Sequence, residues 1–489
     1  MGKGKKVWVV GLLCVFVVGF GVLCGCEKAG SAEGGSGVEA QGGVSTGAKG
    51  NAKGNSKGKD LPEDTPWNHG FMAIMETENA YYSNQSGMNG GGDHVVQALR
   101  YHDKASGETI LLCNKPECSH NGGDACEATY QDILPINCLL YQGSIYELGV
   151  EKSDTNVAIN LYRAALDGSA IDKVGCVISG DNVKGDEIYL KSASANVYNG
   201  LNQRPDYSFI IHQGVAYIPY YLQFGKGMMG LCGAGLLRMD LKTGETEQIY
   251  VVESLTAGTP CNVTAVGDYV YFLLSTTNGN GKTKRYNVAT KEVESIQFRY
   301  SDAEGNVKEI DYPATLYTKD HYFTIAKNSA EGTVSLTAYD ARTKERASDA
   351  DISVKAGEGT SLKAAFFYDG KLFIGEQEKA YFSDLEGNVL AQVDAPQELV
   401  GKELSGKSAS SYFMDYKISN GKLYFLFFDT NEDVEWQWPE GTIEGEDSLV
   451  GSSFTAMQVF SKYHVYGCPL EDVFQGNAIW TELYTTQGR

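Results

Sequence analysis

Positive charge is in short supply. Lysine and arginine number 41 against 62 aspartates and glutamates, for a formal net charge of −21. A surface of that sign repels phosphate backbones, which excludes nucleic acid as a partner class. Familiar catalytic signatures are missing too. There is no H-E-x-x-H, no G-x-S-x-G and no S-x-D-x-G-x-x-W repeat. The stretch "TNGNGKT" (277–283) has Thr276 where a phosphate loop needs glycine, and it joins two strands, so it is not one. Histidine is scarce, with seven residues scattered at 69, 94, 102, 120, 212, 321 and 464. Tryptophan is rarer still, which weakens any reading as a sugar-stacking platform. Helical periodicity is scarce, and this leaves an all-β chain.

The first 25 residues read as an address and stand outside fold reasoning. A basic "MGKGKK" precedes an apolar run, Val7 to Leu23, ending in Leu23-Cys24-Gly25-Cys26. That ending resembles a bacterial lipobox, with cleavage before Cys26 and lipid on its thiol and new amine. The competing reading is an uncleaved anchor, for which the run is short. Residues 26–66 carry the lipidated Cys26 and a Gly, Ser, Ala and Lys tether with almost no bulky apolar side chain. Such a stretch cannot bury a core.

From Trp67 onward the chain repeats itself. A hairpin of two apolar strands recurs as "MAIMETENAYYS", "CLLYQGSIYELG", "FIIHQGVAYIPY", "VTAVGDYVYFLL", "TLYTKDHYFTIA", "FFYDGKLFIGE" and "KISNGKLYFLFF". A second, more polar hairpin follows each one, from "LRYHDKASGETI" to "HVYGCPLEDVFQ". The later turns, at Gly214, Gly267, Asp320, Gly370 and Gly421, fall roughly 50 residues apart, the period of a four-stranded propeller blade. The expectation for 67–489 is a seven-bladed β-propeller of antiparallel blades, with the tyrosines and phenylalanines spent on packing between blades.

Propeller topology sorts the loops. Turns within each hairpin share one rim and are expected to be short throughout. The other rim takes the long insertions, 83–94, 174–206, 221–235, 297–313 and 429–456, and is the expected binding face for an unknown protein or glycan.

Residues 112–126, "LCNKPECSHNGGDAC", gather Cys113, Cys118, His120 and Cys126. The segment is expected to close blade one and bridge to blade two on the elaborated rim. Alternation along an extended chain puts Cys118 and His120 on one face, while Pro116 and Gly122-Gly123 supply bends. Three thiolates and an imidazole make a tetrahedral set for a structural zinc, with no position left for catalysis. Disulfides answer the same pattern, since eight cysteines remain beyond Cys26: 113, 118, 126, 138, 176, 232, 261 and 468. Cys113–Cys118 with Cys126–Cys138 is one such pairing. Solitary buried thiols are the third option, above all for Cys261 and Cys468. The run Cys113, Lys115, Pro116, Cys118, His120, Cys126, Ala128 resembles that of lipobox-anchored propeller lipoproteins of anaerobic Gram-positive bacteria. That resemblance implies place and fold but no reaction.

A second candidate is the acidic tip 429–440. Asp429, Asn431, Asp433, Glu435 and Glu440 echo a calcium loop, with Val434 where that loop needs glycine. A solvated hairpin tip accounts for it equally. The expected function is therefore a lipoprotein held to the cell membrane and facing outward. Its propeller binds a ligand or protein without catalysis. The alternative is a polysaccharide hydrolase or lyase using carboxylates near the central channel. A third option is a redox or metal-handling role for the cysteine segment.

Overall fold

A computed structural model describes residues 73–88, 95–118, 126, 128–130, 138–152, 157–179, 194–196, 209–223, 231–251, 259–275, 282–296, 298–301, 307–310, 314–357, 362–396, 412–429 and 462–487. Cys26, the tether, His120, and Asn431 to Glu440 of the acidic tip lie outside them. Asp429 ends a strand, Lys422–Asp429. No helix among the described residues is long and apolar enough to cross a membrane.

The fold is a seven-bladed β-propeller, and each blade is a meander of four antiparallel strands. Inner hairpins turn on pairs such as Gln142-Gly143, Gln213-Gly214, Asp369-Gly370 and Asn420-Gly421, with φ positive at both residues. This is the turn whose twist matches that of its flanking strands. Outer hairpins use a different device. Asp103, Asp240, Asn287 and Asp340 each accept, through Oδ1, the backbone N–H groups two and three residues on. A left-handed residue closes each loop: Gly107, Gly244, Lys291 or Lys344.

Seven apolar clusters fill the seven gaps between blades. Leu99, Leu112, Ile145 and Ala164 lie between blades one and two. Leu148, Ile159, Ile218 and Met239 join two to three, and Tyr217, Leu236, Val270 and Phe272 join three to four. Tyr271, Phe298, Tyr322 and Tyr339 join four to five, and Val334, Leu336, Leu372 and Ile374 join five to six. Phe373, Phe382, Tyr416 and Phe425 join six to seven. Ile74 and Tyr81 meet Tyr424, Leu426 and Tyr484 where blade seven returns to blade one. A lone blade would expose these residues, and burying one such side chain is worth about 1.5–3 kcal/mol. Blade one is built from residues 75–130 alone and blade seven from 412–487 alone. Among the described residues the ring is sealed by side chains, and neither of these two sheets borrows a strand from the other.

The two outer hairpins of blades five and seven depart from the repeat. In blade five a 3₁₀ turn, Ser348–Ala350, delays the outer strand to Ile352–Lys355. In blade seven Pro469 ends the third strand and a helix, Leu470–Gln475, follows, so the outer strand is Thr481–Gln487. Leu470 and Val473, one helical turn apart, are buried against blades six and seven, and Gly476 caps the helix in the left-handed conformation. The hairpin rim is thus not short throughout. Within 297–313 a two-stranded ribbon forms, Phe298–Ser301 with Val307–Ile310. It sets Phe298 edge-on against Tyr322 and Tyr339.

Candidate metal centre

The outer strand of blade one is broken. Thr109–Leu111 pairs with Arg100–His102, and Thr129–Tyr130 pairs with Gln97 and Ala98 of the same neighbour. Leu99 sits between the two pieces. Its carbonyl accepts from the Leu112 N–H at 2.9 Å, and its own N–H donates to the Ala128 carbonyl at 2.9 Å. Leu112 and Ala128 thus face one residue, as across a greatly enlarged bulge. The chain leaves the strand after Leu112 and is back at it by Ala128. The segment does not close blade one and cross to blade two on the elaborated rim, as its position in the sequence suggested. It is an excursion from the middle of an outer strand, and strand pairing beyond it was hidden because "TY" alone is too short to read.

That break explains why distant cysteines converge. Cys113 leaves the gap at one side and Cys126 returns at the other. A turn closed by the Cys118 N–H on the Lys115 carbonyl, at 3.0 Å with Pro116 inside it, folds Cys118 back. The sulfurs of Cys113, Cys118 and Cys126 all lie within 4.8 Å of one another. Cys126 is buried at 3% exposure, and the other two are half-buried. Burial is the largest influence on the Cys126 thiol. With its contacts to Cys118 and Cys113, it outweighs a hydrogen bond from the Ala128 backbone and pushes the thiol up to about 12. An apolar, thiol-rich pocket holds sulfur protonated until a cation neutralises the charge. The donor set suits a thiophilic ion such as zinc, and the backbone N–H aimed at Cys126 is the kind of second contact that orients a ligating thiolate. Among these residues, Cys113, Cys118 and Cys126 are brought together; the expected fourth ligand, His120, lies outside the described residues.

Cys138, Cys176 and Cys468 are thiols as well. Cys138 faces Glu147 across its hairpin, with Sγ donating to Oε2 at 3.6 Å. Cys468 is buried between blades six and seven. Cys176 lies on the outer strand of blade two.

Two polar constellations escaped the sequence reading, because their members are far apart in the chain or carry no motif. Ser83 Oγ lies 2.7 Å from His102 Nε2, and Thr109 Oγ1 lies 2.8 Å from its Nδ1. His102 stacks on Tyr484 at 4.3 Å, and both Ser83 and His102 are 4% exposed. Burial first, then the charge of Arg100, lowers the imidazole to about 4, so it is neutral. With a hydroxyl where an orienting carboxylate would sit, and with no opening to solvent, the pair is a structural link between blades one and seven. The second constellation is Glu76, whose carboxylate receives Lys104 at 2.7 Å, Lys422 at 2.6 Å, Asn420 at 3.3 Å and the Tyr424 hydroxyl. It lies in the same seam.

No protein-family model matches the chain, and no curated protein matches its sequence. Similar solved structures include one from a study of two prolyl endopeptidases, 9% identical over 87% of this chain and 51% of that one, with a TM-score of 0.46. An acylaminoacyl peptidase bound to a chloromethyl ketone is 10% identical over 86% of this chain and 53% of its own, with a TM-score of 0.43. The β-propeller domain of the trilobed protease from Pyrococcus furiosus is 9% identical over 75% and 90%, with a TM-score of 0.36. The chain spans about half the length of the first two. These likenesses are weak, and the fold stands on its own strand pairing and interfaces.

Proposed function

We propose that this chain is a lipid-anchored, outward-facing propeller that binds a ligand or protein on one rim without chemistry of its own. The supporting observation is the asymmetry of its connections. On one rim the inner hairpins turn within pairs such as 142–143, 213–214 and 420–421. On the other, strand bounds leave long connections at 180–193, 197–209 and 430–461. Long connections between the strands of a rigid ring are where recognition is usually placed. The zinc reading of Cys113, Cys118 and Cys126, with His120 as fourth ligand, belongs to this proposal as a structural brace on blade one.

The test is affinity capture from envelope extract using the full chain and a variant with 430–461 replaced by a two-residue turn. A component retained by the first and lost by the second supports the reading. Equal retention by both refutes it. So does cleavage of a polysaccharide in a glycan panel that disappears when rim carboxylates are replaced. Elemental analysis beside a free-thiol count tests the brace: one zinc per chain, with thiols that react only after chelation, is expected.

A further inference from the structure

We infer that the three-cysteine site controls the order of blade one's outer edge, so that metal occupancy splices the broken strand and braces it against blade two. The inference rests on the metal reading above and goes beyond it by naming what the ion does. Five observations converge. The strand pieces on either side of the gap are only three and two residues long, Thr109–Leu111 and Thr129–Tyr130. Both pair with one strand, on either side of Leu99. The site's sulfurs are attached at the two lips of that gap, since Cys113 directly follows Leu112 and Cys126 lies two residues before Ala128. Leu112 is buried at 5% among Ile145, Ala164 and Cys138 of blade two. Finally, the outgoing leg leans on blade two: the Asn114 N–H donates to the Gly168 carbonyl at 3.1 Å.

Gly168 shows how close that contact is. Its φ is +70°, and a methyl group there would meet the Leu112 carbonyl carbon at 2.8 Å and the Cys113 nitrogen at 2.9 Å. Two strand fragments of this length have few ladder bonds with which to hold their own edge. A ligand set drawn from both lips closes the loop between them, and the free energy of metal binding then becomes free energy of local folding. Coupling of this kind is reciprocal: what loosens the strand weakens the site, and what empties the site loosens the strand.

The experiment uses the full chain, Zn²⁺ alone as the probe, and hydrogen exchange with elemental analysis on the same samples. Removing zinc with a chelator is expected to speed exchange at the Leu99, Leu112 and Asn114 amides by about tenfold or more, as for a locally opened segment. The strand Lys371–Glu376 of blade six should be unchanged, and readdition of zinc should restore protection. Cys126→Ser should match the chelated state. Gly168→Ala, which keeps every thiol, should bind zinc several-fold more weakly. If zinc binds at one per chain but these amides exchange alike with and without it, or if Gly168→Ala binds as the unaltered chain does, the splice is refuted while the metal site stands. If no zinc binds, the metal reading itself falls, and the splice with it.

Discussion

Replacing Glu76 by glutamine tests how the ring is closed. Its side chain is 2% exposed and is the common partner of Lys104, Lys422, Asn420 and Tyr424. Lys104 belongs to blade one, and the other three belong to blade seven, so one carboxylate spans the only junction without covalent continuity between neighbouring blades. Removing one member of a buried ion pair costs about 3–5 kcal/mol. The two lysines are 23% and 29% exposed and can turn toward water, and glutamine keeps the shape and one acceptor. Both moderate the loss, to about 2–3 kcal/mol by the same scale. For a domain of this size that is a fall in Tm of about 2–3 °C. Acid supplies the internal control. Burial pushes the Glu76 carboxyl up, but hydrogen bonds from Lys104, Lys422 and Tyr424 and the charge of Lys422 outweigh it, leaving it below the ordinary 4.5. A depressed carboxylate stabilises the fold above its unfolded pKa and loses that contribution as pH falls through its folded value. The deficit of Glu76→Gln should therefore be full at pH 7 and shrink below about pH 4. Calorimetry across that range decides the matter. An unchanged Tm at pH 7, or a deficit that persists undiminished in acid, would refute the seam as the structure draws it.

Three further outcomes follow from single contacts. Glu147 is fully buried at 0% exposure, and burial raises its carboxyl well above the ordinary range. A raised carboxyl stabilises fully below its unfolded pKa and loses that contribution as pH rises, so Glu147→Gln should raise Tm more at pH 8 than at pH 5. Gly375→Ala puts a methyl 2.5 Å from Tyr416 Cδ2 in the blade six–seven core, and should cost about 1–3 kcal/mol by urea unfolding. Lys291 holds φ +61° where the equivalent turns of blades one and three use Gly107 and Gly244, so Lys291→Gly should stabilise by about 1 kcal/mol in the same assay.

Much of the fold was legible because its signals are local. Each inner hairpin carries its own short turn of two or three residues between apolar runs, and the period of the turns names the blade. The misses lie where local signals fail. "HVYGCPLEDVFQ" reads as a hairpin until Pro469 ends the strand and Leu470 and Val473 find a core to enter. The cysteine segment was legible as candidate ligands but not as a place. Nothing in the residues around Thr129–Tyr130 says that they return to pair with Gln97 and Ala98.

The sequence alone determined the architecture, the acidic surface and the candidate thiols, since periodicity, charge and residue type are properties of the chain itself. The tertiary structure decided which distant residues meet. It brought Cys113, Cys118 and Cys126 together at the lips of a broken strand, and it set Glu76 against Lys422, Asn420 and Tyr424, more than 300 residues away. The first meeting depends on how blade one pairs its outer strand, and the second on the ring closing, which is a property of seven blades packed together.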